Sequence, residues 1–210
     1  MGCYSLGLFL TWPIPVEVGG EDDEGDQQEI KDELQDAEGV AEAQDFEDGT
    51  LIDEVVSDNP SDTLTIDSIP GVWKSIRIEA SLRSQKTGVN ADIIYVYLNN
   101  DTINSNYRNN IYYNVTAYTY RDLPFLGTIP AANSLTNDFA YYEVSIMDYA
   151  ENTFNHYLSL KGNERRSATE HYIWWGSIFW ESNAAITKIR IVCDGANFVS
   201  GSKFRIFGMR

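Results

Sequence analysis

The chain has 210 residues, 43% of them hydrophobic and 22% charged, so it holds enough apolar side chain for a packed core. Its formal net charge is −17, from 32 acidic and 15 basic residues, which argues against nucleic acid as a partner because phosphate binding needs clustered cations. No run of about 18 apolar residues occurs, so neither a spanning helix nor membrane insertion is expected.

Residues 1–16 read MGCYSLGLFLTWPIPV and carry no charged side chain. A secretory signal needs a positive start and a cleavage site, yet no Lys or Arg precedes Lys31. The myristoylation pattern wants Ser or Thr where Leu6 stands. The reading that is left is an apolar docking peptide. Leu8, Phe9, Leu10, Trp12 and Ile14 are its anchoring side chains, and the prolines hold Trp12-Pro13-Ile14-Pro15 extended.

Residues 17–63 read as an acidic arm or linker. From Glu17 to Asp67 there are 20 acidic residues and one Lys, whereas residues 68–210 hold 12 acidic against 14 basic. The charge thus divides the chain into an arm and a near-neutral body. Ile30 and Leu34, at i and i+4, allow one short helix around Gln27 to Glu38. Such a helix is marginal alone, and composition favours a solvated linker.

From Leu64 the pattern turns to period two. Ile76, Ile78, Ala80 and Leu82 alternate with polar residues, and Ile93 to Leu98 is an Ile/Tyr/Val run. A polar turn from Asn99 to Asn110 leads into a strand over Ile111 to Tyr120. Further strands follow at Phe139 to Met147, Tyr157 to Lys161, His171 to Trp180, Ile186 to Cys193 and Lys203 to Phe207. About eight strands with Asn, Gly, Asp and Ser between them predict an all-β, antiparallel, jelly-roll-like β-sandwich over residues 64–210.

Residues that could carry chemistry are sparse. His156 and His171 are the only histidines, and neither accompanies a Gly-x-Ser-x-Gly elbow. Both read as surface or half-buried strand residues. Cys193, in Ile189-Arg190-Ile191-Val192-Cys193, reads as a small buried hydrophobe, although a long bridge to Cys3 stays open. No short-spaced His/Cys cluster suggests zinc, and no Gly-rich loop suggests a phosphate. Asp92, Asp101, Asp122, Asp138, Glu143, Asp148 and Glu181 could be paired acids, and none stands out. Asn99-Asn100-Asp101 reads as a self-bonded turn in preference to a calcium site. Asn100-Asp101-Thr102 and Asn114-Val115-Thr116 match the glycosylation sequon and, with no secretory signal recognised, are discounted. No catalytic residue, metal site or cofactor is expected.

The aromatic cluster Tyr172, Trp174, Trp175, Phe179 and Trp180 is the one distinctive binding candidate. Exposed rings can stack on sugars, and alternation puts Trp174 and Trp175 on opposite faces, so one of them should point outward. A place in the core or in a subunit contact is the commoner use of such rings.

Ser68-Ile69-Pro70 precedes Trp73, Ile76, Ile78 and Arg83-Ser84. Leu98-Asn99-Asn100-Asp101 is followed by Asn106-Tyr107, and Ile146-Met147-Asp148-Tyr149-Ala150 by the Trp180 strand. Ala185-Ile186, Asn197-Phe198, Gly201-Ser202 and Phe204-Arg205-Ile206-Phe207-Gly208-Met209 close the series. In this order the pieces resemble a β-sandwich module widespread among tailed-bacteriophage virion proteins with tail, fibre and decoration roles. The family tends to carry an aromatic where Leu98 stands and Leu-Tyr-Gly-Ile where Ile206-Phe207-Gly208-Met209 stands, both size-conserving departures. The resemblance covers residues 64–210 and supplies no catalytic residue. It implies a virion structural protein, anchored by its arm to capsid or tail subunits, with capsid decoration favoured because the module lacks a fibrous shaft. It also implies a homo-oligomer, trimers being common. The alternative is a tail-fibre-type receptor-binding module that recognises host surface glycan.

Overall fold

Alternation in the sequence becomes alternation in burial. In the computed structural model, which describes residues 49–114, 116–118 and 122–210, the strands are β1 (Thr50–Val56), β2 (Thr63–Ile66), β3 (Ser75–Leu82), β4 (Ala91–Leu98), β5 (Tyr107–Tyr113) and β6 (Thr116–Tyr118). They continue with β7 (Phe125–Pro130), β8 (Ala140–Met147), β9 (His156–Arg165), β10 (His171–Trp180), β11 (Ile189–Cys193) and β12 (Lys203–Met209). Every second side chain of β3, β4, β9 and β12 is buried, the mark of strands with one face on a core. Among the described residues the only helical element is a 3-10 turn, Asn104–Asn106.

All pairings are antiparallel. One sheet has eight strands in the order β1-β12-β3-β8-β9-β10-β5-β6, and the other has four, β2-β11-β4-β7. β8, β9 and β10 form a plain meander, while every neighbour in the smaller sheet is non-consecutive, so the chain crosses between layers as in a Greek key. The β-sandwich is as expected from the sequence. Its strands are more numerous than the eight counted there.

Between the layers lies one apolar cluster, to which Ile76, Ile78, Leu82, Val144, Ile146 and Leu158 contribute from the larger sheet and Ile94, Val96, Leu98, Ile189 and Ile191 from the smaller. Each such side chain contributes about 1.5–3 kcal/mol when fully buried. Tyr142 of β8 spans the gap. Its hydroxyl donates to the Thr128 carbonyl of β7 at 2.6 Å and accepts from the Thr128 N–H at 3.0 Å, joining the sheets through a buried polar contact. Gly162 makes room for this ring, since a Cβ there would run into it.

Several residues singled out in the sequence fix loops. The Arg83 guanidinium, 8% exposed, donates to four carbonyls of the loop after β7: Ala131, Ser134, Leu135 and Asp138. The Asn99 side-chain oxygen accepts from the Thr187 and Lys188 N–H groups, tying the β4 turn to the entry of β11. Asp101 accepts from the Trp180 indole at 2.7 Å, the Asn106 amide at 2.8 Å and the Ile103 N–H at 2.9 Å, which is the self-bonded turn and not a cation cradle. A Cβ at Gly208 would run into the Trp73 ring.

The expected boundary at residue 64 moves forward. The chain divides into units Met1–Asp45 and Phe46–Arg210, and Thr50–Val56, read in sequence as part of the 17–63 arm, is an edge strand paired with β12. Its side chains alternate poorly because only one neighbour and little core lie against it. The docking peptide 1–16 with Leu8, Phe9, Leu10, Trp12 and Ile14, the acidic residues 17–48, the helix around Gln27 to Glu38, and Cys3 lie outside the described residues. The expected strand Ile111 to Tyr120 is instead a hairpin of β5 and β6, reversed at Asn114, whose φ of 50° an Asn tolerates. The expected polar turn is shorter, because β5 starts at Tyr107. His156 is buried at the start of β9, contrary to the surface or half-buried reading.

Candidate functional site

The solvent face of the larger sheet holds side chains in cross-strand rows. Register pairs Ser145 with Ser159, Ser159 with Ser177, and Ser177 with Asn110, so three hydroxyls and one amide line up across β8, β9, β10 and β5. Adjacent members sit about 4.8 Å apart in the pairing direction. On one side of the row stand Tyr157 and Phe179, paired across β9 and β10, their ring centroids 4.6 Å apart. On the other stand Trp175 and Tyr112, paired across β10 and β5, their rings stacked at 4.1 Å and 7°. Trp175 and Phe179 are four residues apart on one strand, about 14 Å. The result is a polar floor between two aromatic ridges.

Toward β8 this floor opens into a trough of about 560 Å³, walled by Met147, Phe154, Tyr157 and Phe179, with Ser145, Ser159 and Ser177 beneath and Asp148 at one end. Tyr157 is 65% exposed, Met147 55% and Phe154 46%. Scattered exposed apolar residues are ordinary, but a contiguous group on one sheet face marks a surface that meets something.

The aromatic candidates from the sequence separate. Trp175 is 47% exposed and Trp174 4%, as the alternation required. Trp174 packs inward against Phe125 and Tyr113, and Tyr172 points the same way, stacked on Tyr113 at 4.7 Å beneath the Arg166 guanidinium. Trp180 is buried between Tyr107 and His156, with its indole N–H on Asp101. Trp174, Trp180 and Tyr172 are therefore not surface platforms, because the period-two geometry that exposes Trp175 turns them to the core side. Tyr112, Tyr157 and the serine row were missed. Tyr157, Ser159 and Lys161 alternate in the sequence with Leu158 and Leu160, but only the register with β10 shows what lies beside them.

Two polar clusters are buried. Glu164 accepts from the Thr128 hydroxyl at 2.5 Å and from the Arg166 guanidinium, and Arg166 also donates to Thr128 at 2.8 Å. Burial pushes the Glu164 carboxyl above its ordinary range, and the bonds from Arg166 and Thr128 hold it back only in part. Asp92 accepts from Ser84 at 2.7 Å, from Lys86 at 2.7 Å and from the Cys193 thiol at 3.1 Å. Burial, then the Asp92 contact, raises the Cys193 thiol to about 12, so Cys193 is a free, unreactive core thiol. Both clusters are closed and face no cleft described above. The other acids named from the sequence scatter: Asp138 and Glu143 pair with Arg165 and Lys161, Glu181 with Arg108, and Asp122 lies on a turn. Among the described residues no three of His, Cys, Asp and Glu come together as a metal-holding group, and no helix is long and apolar enough to cross a membrane.

No family model matches the chain, and no curated protein and no solved structure matches it.

Proposed function

We propose that the chain is a bacteriophage virion structural protein: a β-sandwich displayed on the particle surface and attached through its leading residues, as a capsid decoration or cement protein in preference to a tail accessory. The observation that carries this reading is the division of the chain. Residues 1–48 hold 15 acidic residues and one Lys, beginning with an uncharged apolar stretch, whereas residues 49–210 hold 17 acidic and 14 basic. β1, the first described strand, lies on the rim of the larger sheet. The family resemblance supports the same reading, because several of the residues carrying it (Arg83, Asn99, Asp101, Trp180 and Gly208) set the loops and close packing of the sandwich.

An apolar tip on a tether suits assembly. A few hundred Å² of apolar surface buried on a shell subunit contributes several kcal/mol at about 25 cal/mol per Å², less the cost of association. Many symmetric copies turn such contacts into durable attachment. The other virion proteins would be its partners and the virion its location. The test is deletion of residues 1–20 followed by quantitative mass spectrometry of purified particles. The chain should vanish from the particles while accumulating folded in the lysate, and incorporation at full copy number refutes the anchoring role.

A further inference from the structure

The outward face of the larger sheet has a chemistry that particle attachment does not use. We infer that the trough across β8, β9 and β10, continued by Asn110 of β5, is a binding site for a neutral polysaccharide. The inference concerns the displayed face alone and holds for a capsid or a tail location.

Three observations point to this ligand. Ser145, Ser159, Ser177 and Asn110 form an uninterrupted cross-strand row, and each offers both a donor and an acceptor. Sugar hydroxyls have the same dual character. The repeat of about 4.8 Å along the row is close to the length of one hexose unit, so a chain laid across the strands meets one polar side chain per residue. Ring surface flanks the row on both sides. Tyr157 and Phe179 wall the trough itself, and the Tyr112–Trp175 pair stands beyond the floor. Such rings take the C–H faces of a sugar while the floor takes its hydroxyls.

Charge selects the neutral class. Lys161 at the rim is already matched by Glu143 at 2.9 Å, and Arg108 beside Phe179 by Glu181. Asp148 lines the trough and would repel carboxylated or sulfated sugars. The same features disfavour a second copy of this chain as occupant. Protein interfaces have an apolar centre depleted of charge, whereas here the apolar ridges are split by hydroxyls and bordered by Lys161, Glu143 and Arg108.

The test uses the full chain on a glycan array of neutral and acidic oligosaccharides, with calorimetric titration of the best neutral hit. Binding to at least one neutral hexose series and to no acidic one is expected. Tyr157→Ala, which removes a wall, and Ser177→Arg, which fills the floor from an exposed position, should each weaken that binding by about tenfold or more. Val89→Ser, on the exposed loop before β4 of the smaller sheet, should leave it unchanged. Should Tyr157→Ala misfold, Ser177→Arg decides alone, since its side chain projects into solvent. Any of four results overturns the inference: no neutral glycan bound, acidic glycans preferred, binding indifferent to Ser177→Arg, or an oligomer in sedimentation that Ser177→Arg dissociates, which would assign the face to a second copy.

Discussion

Trp180 shows how a single side chain can serve the fold while looking functional in the sequence. Its ring lies between Tyr107 and His156, and its N–H meets the Asp101 carboxylate that organises the turn after β4. Burial pushes that carboxyl up, but the bonds from Trp180, Asn106 and Ile103 prevail and hold it below its ordinary range. Trp180→Phe keeps an aromatic ring but leaves part of the indole's buried volume empty and removes the charge-assisted bond, so urea unfolding should show a loss of about 2 kcal/mol or more. His156 is the other buried residue that the sequence misplaced. The strand begins one residue earlier than read, which turns the imidazole inward, where its Nε2 donates to the Ala184 carbonyl at 3.1 Å. Burial lowers its pKa from the ordinary 6.5, so the unfolded chain takes up this proton more readily than the folded one. The contribution of His156 is complete above pH 6.5 and is lost as pH falls through the window beneath it. The urea midpoint should therefore decline from about pH 7 to pH 5, and His156→Gln should flatten that decline. Glu164, whose pKa is raised, works in the opposite sense above the ordinary carboxylate value, so the comparison with His156→Gln isolates the histidine, and Asp101, whose pKa is lowered, adds its loss below the carboxylate range. The opposed facing of Trp174 and Trp175 was legible, because alternation is local. The neighbours of each ring were not, because they come from other strands.

At the scale of elements, period two located β3 and β8, while runs of β-branched and aromatic residues located β4, β10, β11 and β12; the β4 run, which could have been buried on both faces, buries one. β1 and β7 escaped for different reasons. β1 has its core on only part of one face and reads as acidic linker through Asp53 and Glu54. β7 carries Gly127 and Pro130 and is buried along nearly its whole length, so it shows no alternation. Both lie at sheet edges, where pairing constrains sequence least. The contact between β8 and β9 has its own sensitive position. Gly162 stands over the Tyr142 ring, so Gly162→Ala must displace the ring that bonds Thr128 of the facing sheet. A cost of about 1–3 kcal/mol in urea unfolding is expected. Tyr142→Phe should cost about as much by leaving the Thr128 N–H and carbonyl buried without their partner.

For the molecule as a whole, strand grammar made the β-sandwich readable, since it is a property of long stretches. The trough was not readable, because it exists only once β8, β9, β10 and β5 are in register and three serines from three strands fall side by side. With β1 beginning at Thr50, the proposal becomes that residues 49–210 fold by themselves and the leading residues serve attachment. The direct measurement is tryptophan-fluorescence urea unfolding of the 49–210 fragment beside the full chain, since Trp73, Trp174, Trp175 and Trp180 all lie in the fragment. One cooperative transition with an unchanged midpoint is predicted. A fragment that unfolds gradually, or at a clearly lower urea concentration than the full chain, would show that the leading residues belong to the fold and contradict the account.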